Sequence, residues 1–207
     1  MLTERPRLSA DVRRAGILAA ARHEFARKGF KGAGTAEIAA RAGCSEPTLY
    51  KHFESKQALF AAVLEDAGRR MGERVESIVS GAEDPIGAWL QHIAEQASTD
   101  PEIAELVRLR MLAVSLVDDP AVHAALRRST TEMRRRMGRI LARARDRGQV
   151  REDVDLDAVA WLWFGFTLAG GFAHALDDSL AADMCPRMAR TFVDLLRPMV
   201  SEAEEGT

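Results

Sequence analysis

Residues 35–56 read TAEIAARAGCSEPTLYKHFESK and decide the fold of this 207-residue chain. Thr35, Ser45 and Ser55 stand where helices would begin, because a side-chain oxygen there accepts from backbone N–H groups that lack a helical partner. Gly43 follows an apolar helical stripe and can supply the left-handed residue that ends a helix. The pattern therefore predicts a short helix, a turn, a second short helix and the start of a long third one, which is a helix-turn-helix.

The second helix of this motif directs polar side chains outward. Leu49 and Phe53 are four residues apart and face inward, and Pro47 occupies the first turn, where its missing N–H costs nothing. The side chains left on the outer face are those of Thr48, Tyr50, Lys51 and His52. Their hydroxyl, ammonium and ring N–H groups are the kinds that bind phosphate oxygens on duplex DNA.

The start of this helix carries the groups placed to reach base edges. The hydroxyl of Thr48 can bond several bases, Glu46 can accept from a cytosine amino group, and Pro47 can meet a thymine methyl. A second interpretation stays open, in which Tyr50 and His52 cap a small helical core and never touch DNA.

The block TxxEIAxxAGxSxxTLYxHFxSK, preceded by an apolar helix ending RKGF, resembles the TetR family of bacterial transcriptional regulators. The resemblance covers about residues 10–64 at the level of motifs. It implies a homodimer in which each subunit offers one recognition helix to a palindromic operator in double-stranded DNA. It also implies a larger helical second domain that binds a small-molecule effector and releases the DNA, hence a repressor.

The same resemblance implies which residues contact DNA. Phosphate contacts would fall to Thr35, Ser45, Tyr50, Lys51, His52 and Lys56, and base contacts mainly to Glu46, Pro47 and Thr48. Many members of the family carry Gly-Thr or a basic pair where this chain has Glu46-Pro47. An acidic group beside DNA is repulsive unless it meets a cytosine amino group, so we expect Glu46→Ala to change the preferred operator.

Charge is distributed unevenly along the chain. Residues 1–60 hold 11 Lys and Arg against 6 Asp and Glu, whereas residues 61–207 hold 18 against 25, within a net charge of −2. We therefore expect the polyanion-binding surface at the N-terminal end. Domain boundaries are predicted at 1–56 for the helix-turn-helix domain, with an arm at 1–8, and at 57–207 for a helical ligand-binding and dimerisation domain.

Few residues offer catalytic or redox chemistry. The five histidines have no H-x-x-x-H pairing, no glycine-rich phosphate loop occurs, and the two cysteines, Cys44 and Cys185, are too few for a disulfide framework or a cysteine-rich metal site. We expect a protein that is not an enzyme and that needs no cofactor or metal. The chain opens without a signal segment, so we expect a cytoplasmic location.

The rest of the chain has the pattern of amphipathic helices separated by short connections that contain Gly, Pro and Asp. This pattern predicts an all-α fold. The first helix is expected from a Ser9 cap to Lys28, with Gly29 ending it. The other predicted helices are 55 onward, 85–98, 101–116, 120–147, 158–176 and 183–200.

Residues 158–176 carry no formal charge over nineteen positions, close to the length that spans a bilayer. Flanking aspartates and internal glycines argue against a membrane span. A helix that is apolar all round packs on its own domain on one face and on a partner on the other, which predicts a homodimer, with packing inside one subunit as the alternative. The expected interface residues are Trp161, Leu162, Phe172, Met188, Phe192, Leu195 and Met199.

Large or soft side chains are expected to surround the interior of the second domain. They are Trp89, His92, Met111, Leu112, Trp163 and Phe166. Such a stripe forms either plain core or the lining of a cavity for a mostly apolar effector. The competing functional interpretation is a helix-turn-helix protein without small-molecule control, either an activator or a structural protein.

Overall fold

The computed structural model describes residues 9–96 and 101–197, and over these residues the chain is helical with short connections and no strand. The all-α prediction is confirmed. The helices are α1 (Ala10–Gly32), α2 (Thr35–Arg41), α3 (Glu46–His52), α4 (Lys56–Val79), α5 (Pro85–Gln96), α6 (Pro101–Val114), α7 (Pro120–Asp146), α8 (Leu156–Leu176) and α9 (Asp178–Leu196). The predicted arm at 1–8 and the predicted interface residue Met199 lie outside the described residues.

Side-chain caps begin most of the N-terminal helices where the sequence predicts them. Ser9 Oγ accepts from the backbone N–H of Val12 at 3.3 Å, and Ser45 Oγ accepts from that of Thr48 at 3.4 Å. Ser55 Oγ accepts from the N–H of Ala58 at 3.0 Å. The prediction for Thr35 is wrong, because Gly34 is the N-cap of α2 and Thr35 is its first helical residue.

Two glycines of the N-terminal helices, one within α1 and one after α2, have positive φ. Gly29 has φ 72° and ψ 172°, so α1 is interrupted at the predicted end and then adds one more turn to Gly32. Gly43 has φ 65° in the turn between α2 and α3. Both positions favour glycine because a side chain would be strained there.

Three phenylalanine rings form the centre of the N-terminal core. The ring of Phe60 in α4 makes T-shaped contacts with two rings of α1. Its centroid lies 5.0 Å from that of Phe25 and 5.4 Å from that of Phe30. The predicted inward residues Ile17, Leu18, Ala21 and Phe25 of α1 are all buried, as are Leu49 and Phe53 beside the turn into α4. Burial of these rings holds α4 against α1.

The described residues divide into two compact units. The first comprises 9–70 and 105–130, and the second comprises 71–96, 101–104 and 131–197. The division falls inside α4, α6 and α7, so each of these helices contributes to both units. The functional boundary at residue 56 stays a prediction.

Within the first unit, α4 and α7 approach closely at Gly68. A Cβ atom built on Gly68 would lie 2.3 Å from Ser129 Oγ and 3.3 Å from Ser129 Cβ. The buried Arg110 of α6 donates to Ser129 Oγ at 3.3 Å and to Thr130 Oγ1 at 3.4 Å. Burial lowers the pKa of Arg110 to about 10, which still leaves it charged at neutral pH.

We expect Gly68→Ala to lower the free energy of unfolding by about 1–3 kcal/mol, because the added methyl overlaps Ser129 Oγ. Adding Ser129→Ala should remove part of that loss, since it deletes the overlapping oxygen. Urea unfolding of the two single variants and the double variant tests this. Losses that simply add in the double variant would contradict the close approach of α4 and α7.

In the second unit, α9 packs on both α5 and α8. Trp89 of α5 stacks on Trp163 of α8 at 5.8 Å, and Trp163 meets the edge of Phe192 of α9 at 5.7 Å. α9 begins at Asp178, because Asp177 Oδ1 accepts from the N–H groups of Ser179 and Leu180; the predicted start at 183 is therefore wrong. These aromatic contacts form the centre of the second unit.

α8 is long and apolar enough to cross a membrane on length and composition alone, as far as the described part of the chain was searched. This is weak evidence, because the core helix of a soluble protein meets the same criterion. Trp163 and Phe166 of α8 are buried inside the unit, whereas other apolar side chains of the helix are exposed.

Candidate nucleic-acid interface

The predicted DNA-contacting side chains lie on α3 and on the residues that flank it, at the starts of α2 and α4. Leu49 is the fully buried residue of α3, and it anchors the helix against the N-terminal core. None of the nine predicted contact residues is buried: Thr35, Ser45, Glu46, Pro47, Thr48, Tyr50, Lys51, His52 and Lys56 are all half-buried or exposed. The structure therefore places the whole predicted set where a duplex could reach it.

Hydroxyl groups connect the two helices of the motif. Thr35 Oγ1 donates to Glu46 Oε1 at 2.5 Å, and Tyr50 Oη donates to Thr35 Oγ1 at 3.3 Å. Ser45 Oγ and Thr48 Oγ1 lie 2.9 Å apart, in hydrogen-bonding distance. Thr35, Glu46 and Tyr50 thus form one hydrogen-bonded chain between the start of α2 and the outer face of α3.

Lys51 and Lys56 differ in their contacts. Lys51 is exposed, with its side chain on the outer face of α3. Lys56 Nζ lies 4.9 Å from the centre of the Phe30 ring and donates to the carbonyl oxygen of Lys31 at 3.4 Å, so its ammonium is held near the end of α1. Partial burial lowers the pKa of Lys56 below its ordinary value.

A buried carboxylate, Glu24, joins α1 to α2, and our reading of the sequence missed it. Arg41 Nε of α2 lies 2.8 Å from Glu24 Oε1, and Lys28 Nζ lies 3.1 Å from Glu24 Oε2. Lys28 also pairs with Glu37 of α2 at 2.7 Å. The signal was present, because Glu24 is seven residues after Ile17 and therefore lies on the apolar face of α1.

The hydrogen bond from Lys28, followed by that from Arg41, lowers the pKa of Glu24 although burial opposes the charge. A group whose pKa is lower folded than unfolded stabilises the fold above its unfolded value, here near 4.5, and loses that contribution as pH falls through the folded pKa. Glu24 therefore makes the docking of α2 sensitive to acid.

We expect Glu24→Gln to lower the free energy of unfolding by about 1–2 kcal/mol at pH 7. The difference in free energy of unfolding between the variant and wild type should become smaller as pH falls through the folded pKa of Glu24. At that pH the wild-type carboxyl also becomes neutral. Urea unfolding at several pH values between 7 and acid tests this. A difference independent of pH would show that the charge of Glu24 is not what joins the helices.

The predicted effector residues do not all come together. Trp89, His92, Trp163 and Phe166 belong to the second unit, where Trp89 stacks on His92 at 5.5 Å and both tryptophans are buried. Met111 and Leu112 belong to the first unit, and Met111 is 42% exposed. The prediction that all six surround one interior gains no support for these two.

A narrow, partly open cavity of about 20 Å³ lies between α6, α8 and α9 in the second unit, so an effector would have to widen it. Its lining is almost wholly apolar and consists of Ile103, Ala104, Phe166, Thr167, Gly170, Gly171, His174 and Cys185. Phe166 is the predicted effector residue that lines it. His174 Nδ1 lies 3.3 Å from Asp178 Oδ1, and its buried Nε2 has no hydrogen-bond partner within residues 9–96 and 101–197.

The predicted interface residues lie on α8 and α9. Trp161, Leu162, Phe172 and Leu195 are large apolar side chains that are exposed in the single chain. Met188 and Phe192 are half-buried, with Phe192 against Trp163 and Phe166. No cluster of His, Cys, Asp and Glu suited to a metal occurs among the residues that the structure describes.

Sequence comparison matches both parts of the chain to family models. Residues 17–63 match the model described as bacterial regulatory proteins, tetR family, and residues 88–187 match the tetracyclin repressor-like C-terminal domain. The HTH-type transcriptional repressor AcnR of Corynebacterium efficiens is 30% identical over 153 residues, which cover 69% of this chain and 71% of that protein.

A second relative matches only part of the chain. The HTH-type transcriptional activator FasR of Mycolicibacterium smegmatis is 45% identical over 75 residues, 36% of this chain and 31% of FasR. The match to the uncharacterised regulator YdgC of Bacillus subtilis likewise covers 32% of that protein. The chain therefore spans about a third of these two relatives.

Solved structures share the whole fold. A TetR-family regulator from Rhodococcus sp. superposes with a TM-score of 0.78 at 18% identity, covering 91% of this chain and all of that one. The reduced form of NemR from E. coli gives a TM-score of 0.75 at 18% identity, covering 91% and 99%. With its helix-turn-helix, its helical second domain and these matches, the chain belongs to the TetR family of transcriptional regulators, which are DNA-binding proteins and not enzymes.

Proposed function

We propose that this protein is a repressor that binds a palindromic operator as a homodimer and is released by a mostly apolar small molecule. The observation that carries the proposal is the outer face of α3, where Tyr50, Lys51 and Thr48 stand clear of a helix anchored by buried Leu49. Helices of this kind enter the major groove, where hydroxyl and ammonium groups hold phosphates. Repression is supported by the name of the relative AcnR.

The exposed stripe of α8 supports a homodimer. Trp161, Leu162, Phe172 and Leu176 are each about half or more exposed, and Gly165 and Ala169 lie between them at spacings of three and four. Leu180 and Leu195 add exposed apolar surface on α9. Contiguous apolar surface with small residues at its centre suits close packing of the same surface on a second copy.

The two-fold symmetry of a homodimer explains why its operator would be palindromic. Two recognition helices related by a two-fold axis match two half-sites about 34–36 Å apart, one turn of the duplex. Joining two weak half-site contacts raises affinity into the range that regulation needs. A protein that acts on DNA in this way is expected in the cytoplasm.

The cavity beside α8 is the proposed seat of the effector. Its walls are apolar, apart from the hydroxyl of Thr167 and the ring of His174. Such a lining accepts an apolar molecule with one hydrogen-bonding group. Binding would release DNA only if the effector has a higher affinity for the form that cannot bind the operator.

A helix-turn-helix protein without small-molecule control, either an activator or a structural protein, is the second candidate. An activator is favoured by the 45% identity over 75 residues to a protein named as an activator. The two candidates differ in one observable, whether any apolar compound weakens DNA binding.

Fluorescence anisotropy on duplex DNA from the region beside its own gene, against scrambled competitor at physiological salt, tests the proposal. We expect tight, competitor-resistant binding with two subunits per site, and the same assay then serves to screen apolar compounds. Binding that scrambled DNA removes equally would contradict a specific operator in that region.

A further inference from the structure

The carboxylate of Glu46 binds the hydroxyl hydrogen that Thr35 would need to donate to DNA. An ionised carboxylate can only accept hydrogen bonds, so the one hydroxyl hydrogen of Thr35 points to Glu46 across 2.5 Å. The oxygen of Thr35 can then only accept, and Tyr50 Oη donates to it at 3.3 Å. In the free protein Thr35 has no hydrogen left for another acceptor.

DNA phosphate oxygens are also only acceptors. To donate to one, Tyr50 needs only to turn its hydroxyl away from Thr35. Thr35, in contrast, can donate to the backbone of a duplex only after its bond to Glu46 has broken. The carboxylate would then lie unpaired beside a polyanion, which is unfavourable unless a donor from the duplex replaces the lost one.

The major groove offers such a donor without an adjacent acceptor only on cytosine. Cytosine presents its N4 amino group there, whereas adenine presents its N6 amino group beside the N7 acceptor, which repels a carboxylate. Glu46 is half-buried in the first turn of α3, the part of a recognition helix that contacts base edges.

We propose that Glu46 is a specificity switch that holds the Thr35 hydroxyl hydrogen away from phosphate until a cytosine amino group replaces Thr35 as its donor. Phosphate binding by Thr35 is thereby linked to the base that Glu46 meets. On non-cognate DNA, either the carboxylate is left unpaired or the phosphate contact of Thr35 is not made. The inference rests on DNA binding through α3 and requires no effector.

The first test compares wild type, Glu46→Ala and Glu54→Ala on a duplex that contains only A·T pairs. Glu54 is an exposed glutamate of the α3–α4 connection, so its removal deletes one negative charge and frees no hydroxyl. We expect Glu46→Ala to bind about 3- to 10-fold more tightly than wild type, and Glu54→Ala to gain less. In a Thr35→Val background, the extra gain of Glu46→Ala should disappear. Circular dichroism confirms that each variant is folded.

The second test selects preferred sites from a random duplex library with each variant. Wild type should enrich one cytosine in each half-site, Glu46→Ala should lose that preference, and Glu46→Gln should shift it to adenine, which a Gln amide can bond in two places. The inference, but not the proposed function, would be overturned by either of two results. One is an equal gain in affinity for the A·T duplex by Glu46→Ala and Glu54→Ala, and the other is a cytosine preference that Glu46→Ala keeps. Failure of wild type to bind any duplex would overturn both the inference and the proposed function.

Discussion

Replacing Phe60 with alanine is expected to lower the free energy of unfolding by about 3–5 kcal/mol and to abolish DNA binding. Phe60 has no exposed surface and packs edge-on against Phe25 at 5.0 Å and Phe30 at 5.4 Å. Its removal leaves a cavity at the place where α4 meets α1. Because α3 leads directly into α4, loss of this contact removes the support of the recognition helix.

Urea unfolding followed by circular dichroism measures the stability, and anisotropy on a selected duplex measures the binding. Val12→Ala is the control, because Val12 is an exposed residue of the same helix bundle and should change stability by less than about 0.5 kcal/mol. If Phe60→Ala has the same urea midpoint of unfolding as wild type, the three rings do not stabilise the N-terminal core.

Leu162→Glu is expected to yield a monomer and to weaken operator binding by about 10²–10⁴-fold, because each half-site would then be bound singly. Leu162 is 63% exposed in the single chain, so a glutamate there does not disturb the interior of the subunit. In a dimer built on the α8 stripe, the two-fold axis would bring two such carboxylates into an apolar interface.

Val114→Glu is the matched control for this variant, since Val114 is 64% exposed at the end of α6 and lies outside the proposed interface. Sedimentation gives the mass of each variant, and anisotropy gives its affinity. A dimeric Leu162→Glu protein with wild-type affinity would exclude the α8 stripe as the subunit interface.

The sequence was sufficient to predict the fold wherever local chemistry decides it. Ser9, Ser45 and Ser55 begin their helices as predicted, and Gly29 and Gly43 have the left-handed backbone that their positions required. These features depend on contacts within one turn of chain, which neighbouring residues determine.

Features that depend on a distant partner were predicted less well. Thr35 has the residue type of a cap, yet its hydroxyl donates to Glu46 eleven positions later and leaves capping to Gly34. The start of α9 was placed five residues late, because Asp177 follows α8 so closely that it was not recognised as a cap.

The effector residues show the same limit. Periodicity places Met111 and Leu112 on one helix, but it cannot tell that residues 105–130 belong to the same compact unit as the N-terminal helices. The cavity is lined by Phe166 of the predicted set and by Gly170, Gly171 and their neighbours, and the sequence indicated only that these glycines argue against a membrane span.

The aromatic residues have an optical consequence. The chain has one tyrosine, Tyr50, which lies on the outer face of α3, and three tryptophans, Trp89, Trp161 and Trp163, all in the second unit. Fluorotyrosine incorporated biosynthetically would give a single ¹⁹F resonance from the recognition helix, free of overlap. Tryptophan emission excited at its red edge would arise from the other unit alone, with Trp161 on the exposed stripe and the other two buried. The native sequence thus carries two independent spectroscopic reporters, one for each half of a regulatory event, without any engineered label.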